Sequence, residues 1–354
     1  MLVLCGVYHL MSFASLVSTE QHRVARSRSV THVSAGALFA LEVPHRMGLE
    51  YFEITSHALA AGVVCLAVFR GIGLDVFGQI WVWQQAVPEV DTRHVLLGAL
   101  IGAAAGGVAI AWTFGTKMAK HWLSLIGLDE HKAPVRCGAL GGFVIGVLGA
   151  VLPPTMFWGE FEMQSFADPG VPLPHVWPGS GFWGMRSYLQ GEWGPGVYAL
   201  VGGVKLVAIS VTLLAGFRGG FIFPLFTCGT ALATAAQMLL QHVLPAASFP
   251  PVIWAMAGAA GLNTAITRTP LGSTMILAAL SGEPGVAVPS LAAALVALYI
   301  TKRVPFIMTQ RSRSDMLTVL SSSSKDPGDA DDLKSVSEAI DVPLHTQDEA
   351  ELPA

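Results

Sequence analysis

Charge is scarce in this chain. Of 354 residues, 12% are charged and 53% are hydrophobic. Soluble domains carry about twice that charged share, so an ordinary soluble globule is excluded. Metal-ligand patterns are lacking as well. Cys5, Cys65, Cys137 and Cys228 are scattered without ligand spacing, and the last three sit in or beside apolar runs as small core residues. The histidines show no metal spacing and no H-E-x-x-H occurs, so neither a metal nor a cofactor is expected. No basic stretch precedes the mildly apolar residues 1–20, which therefore make a poor secretory signal. The net charge of −4 says little, and no nucleic-acid partner is expected. An enzyme is not expected either. Ser180 is flanked by glycine but lies in a loop, and no helical histidine is placed to activate it.

What the chain has instead is apolar runs near twenty residues long, the length that crosses a bilayer. Runs are predicted at 33–43, 51–69, 95–118, 137–152, 197–214, 225–240, 252–263, 271–280 and 286–301. Gly98, Gly102, Gly106 and Gly107 form a small-residue face of the kind that lets membrane helices approach closely. The segments 252–263 and 271–280 are too short to cross straight, and predict helices that enter halfway. Residues 154–195 read as a long connection. Trp158, Trp177, Trp183 and Trp193 there suit a membrane interface. Lys302, Arg303, Arg311 and Arg313 follow the last run and place that end on the cytoplasmic side. Three domains are expected: an atypical N-terminal segment 1–32, a transmembrane domain 33–320, and a disordered acidic tail 321–354.

The stretch Ala215-Gly-Phe-Arg-Gly-Gly-Phe-Ile-Phe-Pro-Leu-Phe226 divides two of these runs. Gly216, Gly219 and Gly220 permit backbone conformations closed to other residues. Pro224 suits the first turn of a helix, where a missing N–H costs nothing. The expectation is a broken membrane helix that presents free amides at a new start, an arrangement that attracts anions. A glycine-rich turn between two buried helices is the alternative reading.

Three motifs resemble those of the CLC family of chloride channels and chloride/proton exchangers. Gly219-Gly-Phe-Ile-Phe-Pro224 resembles its GGxFxP signature. Ala37-Leu-Phe-Ala-Leu-Glu42 resembles the end of its helix H. Arg268-Thr-Pro-Leu271 resembles the RAPL start of its helix P. The resemblance covers roughly residues 34–320. It implies an all-α polytopic membrane protein with the CLC-like inverted-repeat fold, including tilted and half-membrane helices. It implies passage of chloride or a similar anion, chloride being cargo rather than cofactor. The implied anion site is Gly219, Gly220, Phe221, Ile222, Phe223 and Pro224, with the Phe221 and Ile222 amides meeting the ion. The implied location is the cell membrane, and the implied assembly is a homodimer through residues 33–70 and 269–302.

The departures matter as much. The family's GSGIP and GREGP signatures are absent, which predicts a truncated chain or a strongly diverged front end, with truncation favoured. Phe306 stands nearest to the family tyrosine whose hydroxyl meets the anion, and it cannot donate that bond. Val43 replaces the second Glu of exchangers, which favours a passive, voltage-gated-type channel over a proton-coupled antiporter. A truncated, non-conducting subunit is a further alternative.

Single residues keep two readings each. Glu42 is an intramembrane carboxylate with a role in transport, or a helix-end carboxylate bonded to nearby backbone, His45 or Arg46. Lys205 snorkels to an interface or acts electrostatically near the anion path, the former being favoured. Arg218 concentrates anions or pins its loop. Arg268 is expected to be structural.

Overall fold

Proline sets many of the boundaries in this protein. In the computed structural model the described residues are 89–128, 133–156, 158–168, 193–217, 219–244 and 250–304, with Glu42, 57–64, 67, 68, Trp81, Trp83 and Phe306. Among them there is no strand. Among the described residues eight α-helices follow residue 91: α1 Thr92–Leu125, α2 Pro134–Val151, α3 Glu160–Ala167, α4 Pro195–Leu214, α5 Ile222–Val243, α6 Pro251–Thr267, α7 Pro270–Ser281 and α8 Ala287–Thr301. Proline opens α2, α4, α6 and α7, where its fixed φ favours a helix start. The fold is all-α. Helices α1, α2, α4 and α5, and the stretch Pro284–Thr301, are long and apolar enough to cross a membrane. The chain divides into units Met1–Ile307 and Met308–Ala354. The second unit lies outside the described residues, as do the expected N-terminal segment 1–32 and acidic tail 321–354, Arg218, Ser180, Trp177 and Trp183.

Helix α1 begins with a reciprocal cap. The Asp91 carboxylate accepts from the amides of Arg93 (2.8 Å) and His94 (3.3 Å), while His94 Nδ1 accepts from the Asp91 amide (3.1 Å). At 34 residues α1 is about 51 Å long, well beyond the ~30 Å hydrocarbon core, so it tilts or projects. The sequence places its ends too close together, at 95 and 118. Its glycine face is used where predicted, save at one position. A Cβ on Gly98 or Gly102 would run into the backbone of Pro289 or Ala293 on α8, and one on Gly106 would press on Ile300 at 3.2 Å. Gly107 faces open space.

The core is α6. Every residue from Val252 to Thr267 is buried. A helix that is apolar all round lies in lipid or inside protein, and here its neighbours enclose it. It packs against α1, α3, α5, α7 and α8. Gly229 on α5 and Gly258 on α6 meet backbone to backbone, with no room for a Cβ on either. The sequence reading ended this helix at 263. It continues through the polar Thr264 and Thr267 and stops at Arg268 (φ 60°), two residues before Pro270. Helix α7, with 12 residues, spans about 18 Å and is indeed too short to cross.

The predicted connection 154–195 contains an element that the sequence did not announce. After a 3₁₀ turn, Pro153–Thr155, the chain forms α3 and buries it. Met163 and Ala167 of α3 join Trp81, Phe226, Met256 and Leu277 in one apolar cluster. Of the tryptophans assigned to an interface, Trp158 is 42% exposed, whereas Trp193 packs on Phe166 and Tyr198.

Candidate functional site: the start of helix α5

The break between α4 and α5 is built by one glycine rather than three. Gly216 takes a left-handed φ of 81° just past α4. Its amide donates to Leu213 O (3.2 Å), and the Phe217 amide donates to Thr212 O (3.1 Å). These two bonds close α4 with a Schellman turn and satisfy its last carbonyls. Gly219 and Gly220 do not take left-handed φ values, which corrects the expectation that they supply forbidden conformations. Both are exposed, and among the described residues a Cβ on either would find nothing within 4 Å. Their bare backbone leaves open space beside the start of α5.

Phe221 is the N-cap residue of α5, and its side chain makes no capping bond. The first helical bond runs from the Leu225 amide to Phe221 O at 3.0 Å. Pro224 has no N–H. Among the described residues no carbonyl accepts from the amides of Phe221, Ile222 or Phe223. These donors stand at the positive end of the helix dipole. Residues Phe221 to Pro224 are half-buried. Phe221 packs on a cluster containing Trp112, Leu206, Leu225 and Leu262, and Ile222 and Phe223 pack on the cluster of Trp81 and Met163. The donors therefore lie between two apolar walls.

Phe306 packs on the same cluster as Phe221 and stacks on Trp112 at 4.7 Å. The Trp112 indole donates to Leu206 O (3.0 Å) and Ser210 Oγ (2.8 Å), and Ser210 shares a 2.8 Å bond with Thr116. These hydroxyls escaped the sequence reading, because a Ser or Thr in an apolar helix ordinarily bonds its own backbone and carries no distinct pattern.

Three charged residues find their places. Glu42 is far from the start of α5 in role. Its carboxylate accepts from the amides of Leu271 (2.9 Å) and Gly272 (2.6 Å), so it caps the start of α7 across 229 residues of sequence. Of its two readings, backbone bonding is the one seen, although the partner is distant rather than nearby. Replacing it with alanine should cost about 1–2 kcal/mol. A drop in the thermal midpoint in detergent would show this, and an unchanged midpoint would contradict the cap. Arg268 is structural, as expected. Its Nη2 donates to Lys302 O (3.0 Å) and Thr301 O (3.4 Å), closing the end of α8. Lys205 does not snorkel, which corrects the favoured reading. It is 2% exposed, donates to Thr155 O at 3.3 Å and interacts electrostatically with Glu162 and Cys228. The Thr155 carbonyl and the nearby Glu162 offset the cost of enclosing this side chain at mid-helix.

Besides the apolar contact of Met163, a hydroxyl of α5 ties the start of α3 to the site. Thr227 Oγ donates among Phe223 O (2.8 Å), Gly159 O (3.0 Å) and Trp158 O (3.4 Å). Gly159 has φ 91°, and a Cβ there would collide with the Thr227 side chain, so only glycine fits. Glu160 follows at 4% exposure, and burial raises its carboxyl to about 7.

These features define a polytopic membrane protein in which a broken helix presents free amides between apolar walls. The match to known proteins agrees. Residues 35–302 fit the family model described as voltage gated chloride channel, and the chain belongs to that family. It is similar to the putative ion-transport protein YfeO of Salmonella schwarzengrund (strain CVM19633), 32% identical over 180 residues, or 51% of this chain and 35% of that one. The YfeO proteins of Salmonella newport (strain SL254) and Salmonella agona (strain SL483) match to the same extent. The matched stretch thus spans about a third of the length of these relatives. Among solved structures, a slow cyanobacterial Cl⁻/H⁺ antiporter shares the fold, with a TM-score of 0.54 at 15% identity, covering 83% of this chain and 61% of that one.

Proposed function

We propose that the protein carries chloride or a similar anion across the membrane and that the anion rests on the amides of Phe221 and Ile222. The observation that carries this reading is the uncapped start of α5, with no described carbonyl accepting from those amides and open space beside Gly219 and Gly220. Peptide dipoles stabilise an anion that has lost part of its water, yet they bind it weakly enough to release it. A fixed cation there would hold the ion too firmly. Phe306 and Trp112 would bound the path on one side, with no hydroxyl from Phe306. Membership of the family supports anion transport, and Val43, where exchangers of the family carry a second Glu, favours passive conduction.

Purified protein in liposomes tests this. Chloride efflux driven by its gradient, with no stoichiometric proton movement, is expected. Proton movement locked to chloride would make the protein an antiporter, and no flux from folded protein would remove the reading. The cell membrane, a cytoplasmic C-terminal end beyond Lys302 and Arg303, and a homodimer through 33–70 and 269–302 belong to the same proposal.

A further inference from the structure

Helix α3 holds two buried carboxylates, and the structure treats them differently. Glu162, 4% exposed, lies in the electrostatic reach of Lys205. Glu160, equally buried, is bonded through Oε2 only to the indole of Trp158 at 3.3 Å, while its main-chain oxygen accepts from Trp81 at 3.0 Å. Among the described residues no cation forms an ion pair with Glu160. Among the described residues the titratable groups around it can be named element by element. Its own helix supplies Glu162 and, at the far end, Asp168. Helix α4 supplies Lys205 and Tyr198, and α5 supplies Cys228. Helix α6 has no titratable side chain, and the two described residues packed there from residues 81–83, Trp81 and Trp83, offer indoles. Lys205 is the cation of the set, and its Nζ sits on Thr155 O with Glu162 near.

We propose that Glu160 is a proton-binding residue whose charge state sets the anion affinity of the α5 start. A largely buried carboxylate with one indole donor is costly, and the neutral acid relieves that cost. The neighbouring Glu162 works in the same direction, and together with burial it places the titration at about 7. The link to α5 is short: Thr227 Oγ bonds both Gly159 O, next to Glu160, and Phe223 O in the first turn of α5. A negative charge on Glu160 opposes an anion at the Phe221 and Ile222 amides, and a proton on it removes the opposition. Linkage makes this reciprocal, so a bound anion strengthens proton binding in turn. The coupling rests on the anion reading of α5, whereas the proton site stands without it.

Two measurements on the whole purified protein separate the parts. Infrared pH titration should show a carboxylic-acid carbonyl band that disappears with a midpoint near 7 and is missing in Glu160→Gln. Calorimetry should show chloride binding about five-fold or more weaker at pH 8.5 than at pH 5.5, with Glu160→Gln binding equally at both. If Glu160→Gln does not fold, Trp158→Phe serves. It deletes the one donor to the carboxylate, so the band's midpoint should rise, and an unmoved midpoint overturns the proton site. A band that persists in Glu160→Gln overturns it too. A titrating band with pH-independent chloride affinity overturns the coupling alone. A titrating band with no chloride binding at either pH overturns the anion reading and the coupling together, while Glu160 remains a proton site.

Discussion

Replacing Lys205 with methionine is expected to destabilise the protein by about 3–5 kcal/mol. The side chain is 2% exposed, donates to Thr155 O and lies in the field of Glu162, which is itself 4% exposed. Methionine fits the volume but removes the positive charge that interacts with the buried Glu162. Removing one partner of a buried pair costs far more than removing both. The double variant Lys205→Met, Glu162→Gln should therefore recover most of the loss. Unfolding in detergent by heat or denaturant reads both. Equal losses in the single and double variants would mean that the lysine acts through packing alone. A snorkelling lysine would tolerate methionine with little change, so the same experiment separates the two readings of this residue.

Replacing Gly220 with valine should leave the fold intact and cut transport sharply. Its backbone is not left-handed, and an added Cβ meets no atom of the described residues within 4 Å, so a stability change within about 0.5 kcal/mol is expected. The valine would stand in the open space beside the amides of Phe221 and Ile222. Chloride flux in liposomes should fall about tenfold or more, equivalent to about 1.4 kcal/mol. Gly216→Val is the contrast. At φ 81° a β-branched residue is strained by about 1–3 kcal/mol, so that variant should lose stability. Normal flux through folded Gly220→Val would show that the anion passes elsewhere.

Much of this was legible in the residues. The helix break was read from Gly216 and Pro224, because a left-handed turn and a missing N–H are local needs with local signatures. Pro270 marks the start of α7 for the same reason, whereas the end of α6 falls beyond the expected 263, at Thr267. The motifs around Glu42, Gly219 and Arg268 pointed to the family and, through it, to the all-α fold. What stayed hidden depends on distant contacts. Glu42 bonds to Leu271 and Gly272, 229 and 230 residues away. Lys205 looks the same in sequence whether it reaches outward or is enclosed, and only α3 behind it decides. Helix α3 itself has eight residues and weak amphipathic patterning amid tryptophan, proline and glycine, so Glu160 and Glu162 read as connection residues. Gly219 and Gly220 were credited with unusual backbone angles, when their contribution is an absent side chain.

Bromide in place of chloride offers the most direct test, because its anomalous scattering locates an anion without assumptions about flux. Crystals grown in bromide should show a peak within hydrogen-bond reach of the Phe221 and Ile222 amides, in the space beside Gly219 and Gly220. Well-occupied bromide elsewhere in the protein, with none at the start of α5, would contradict the account.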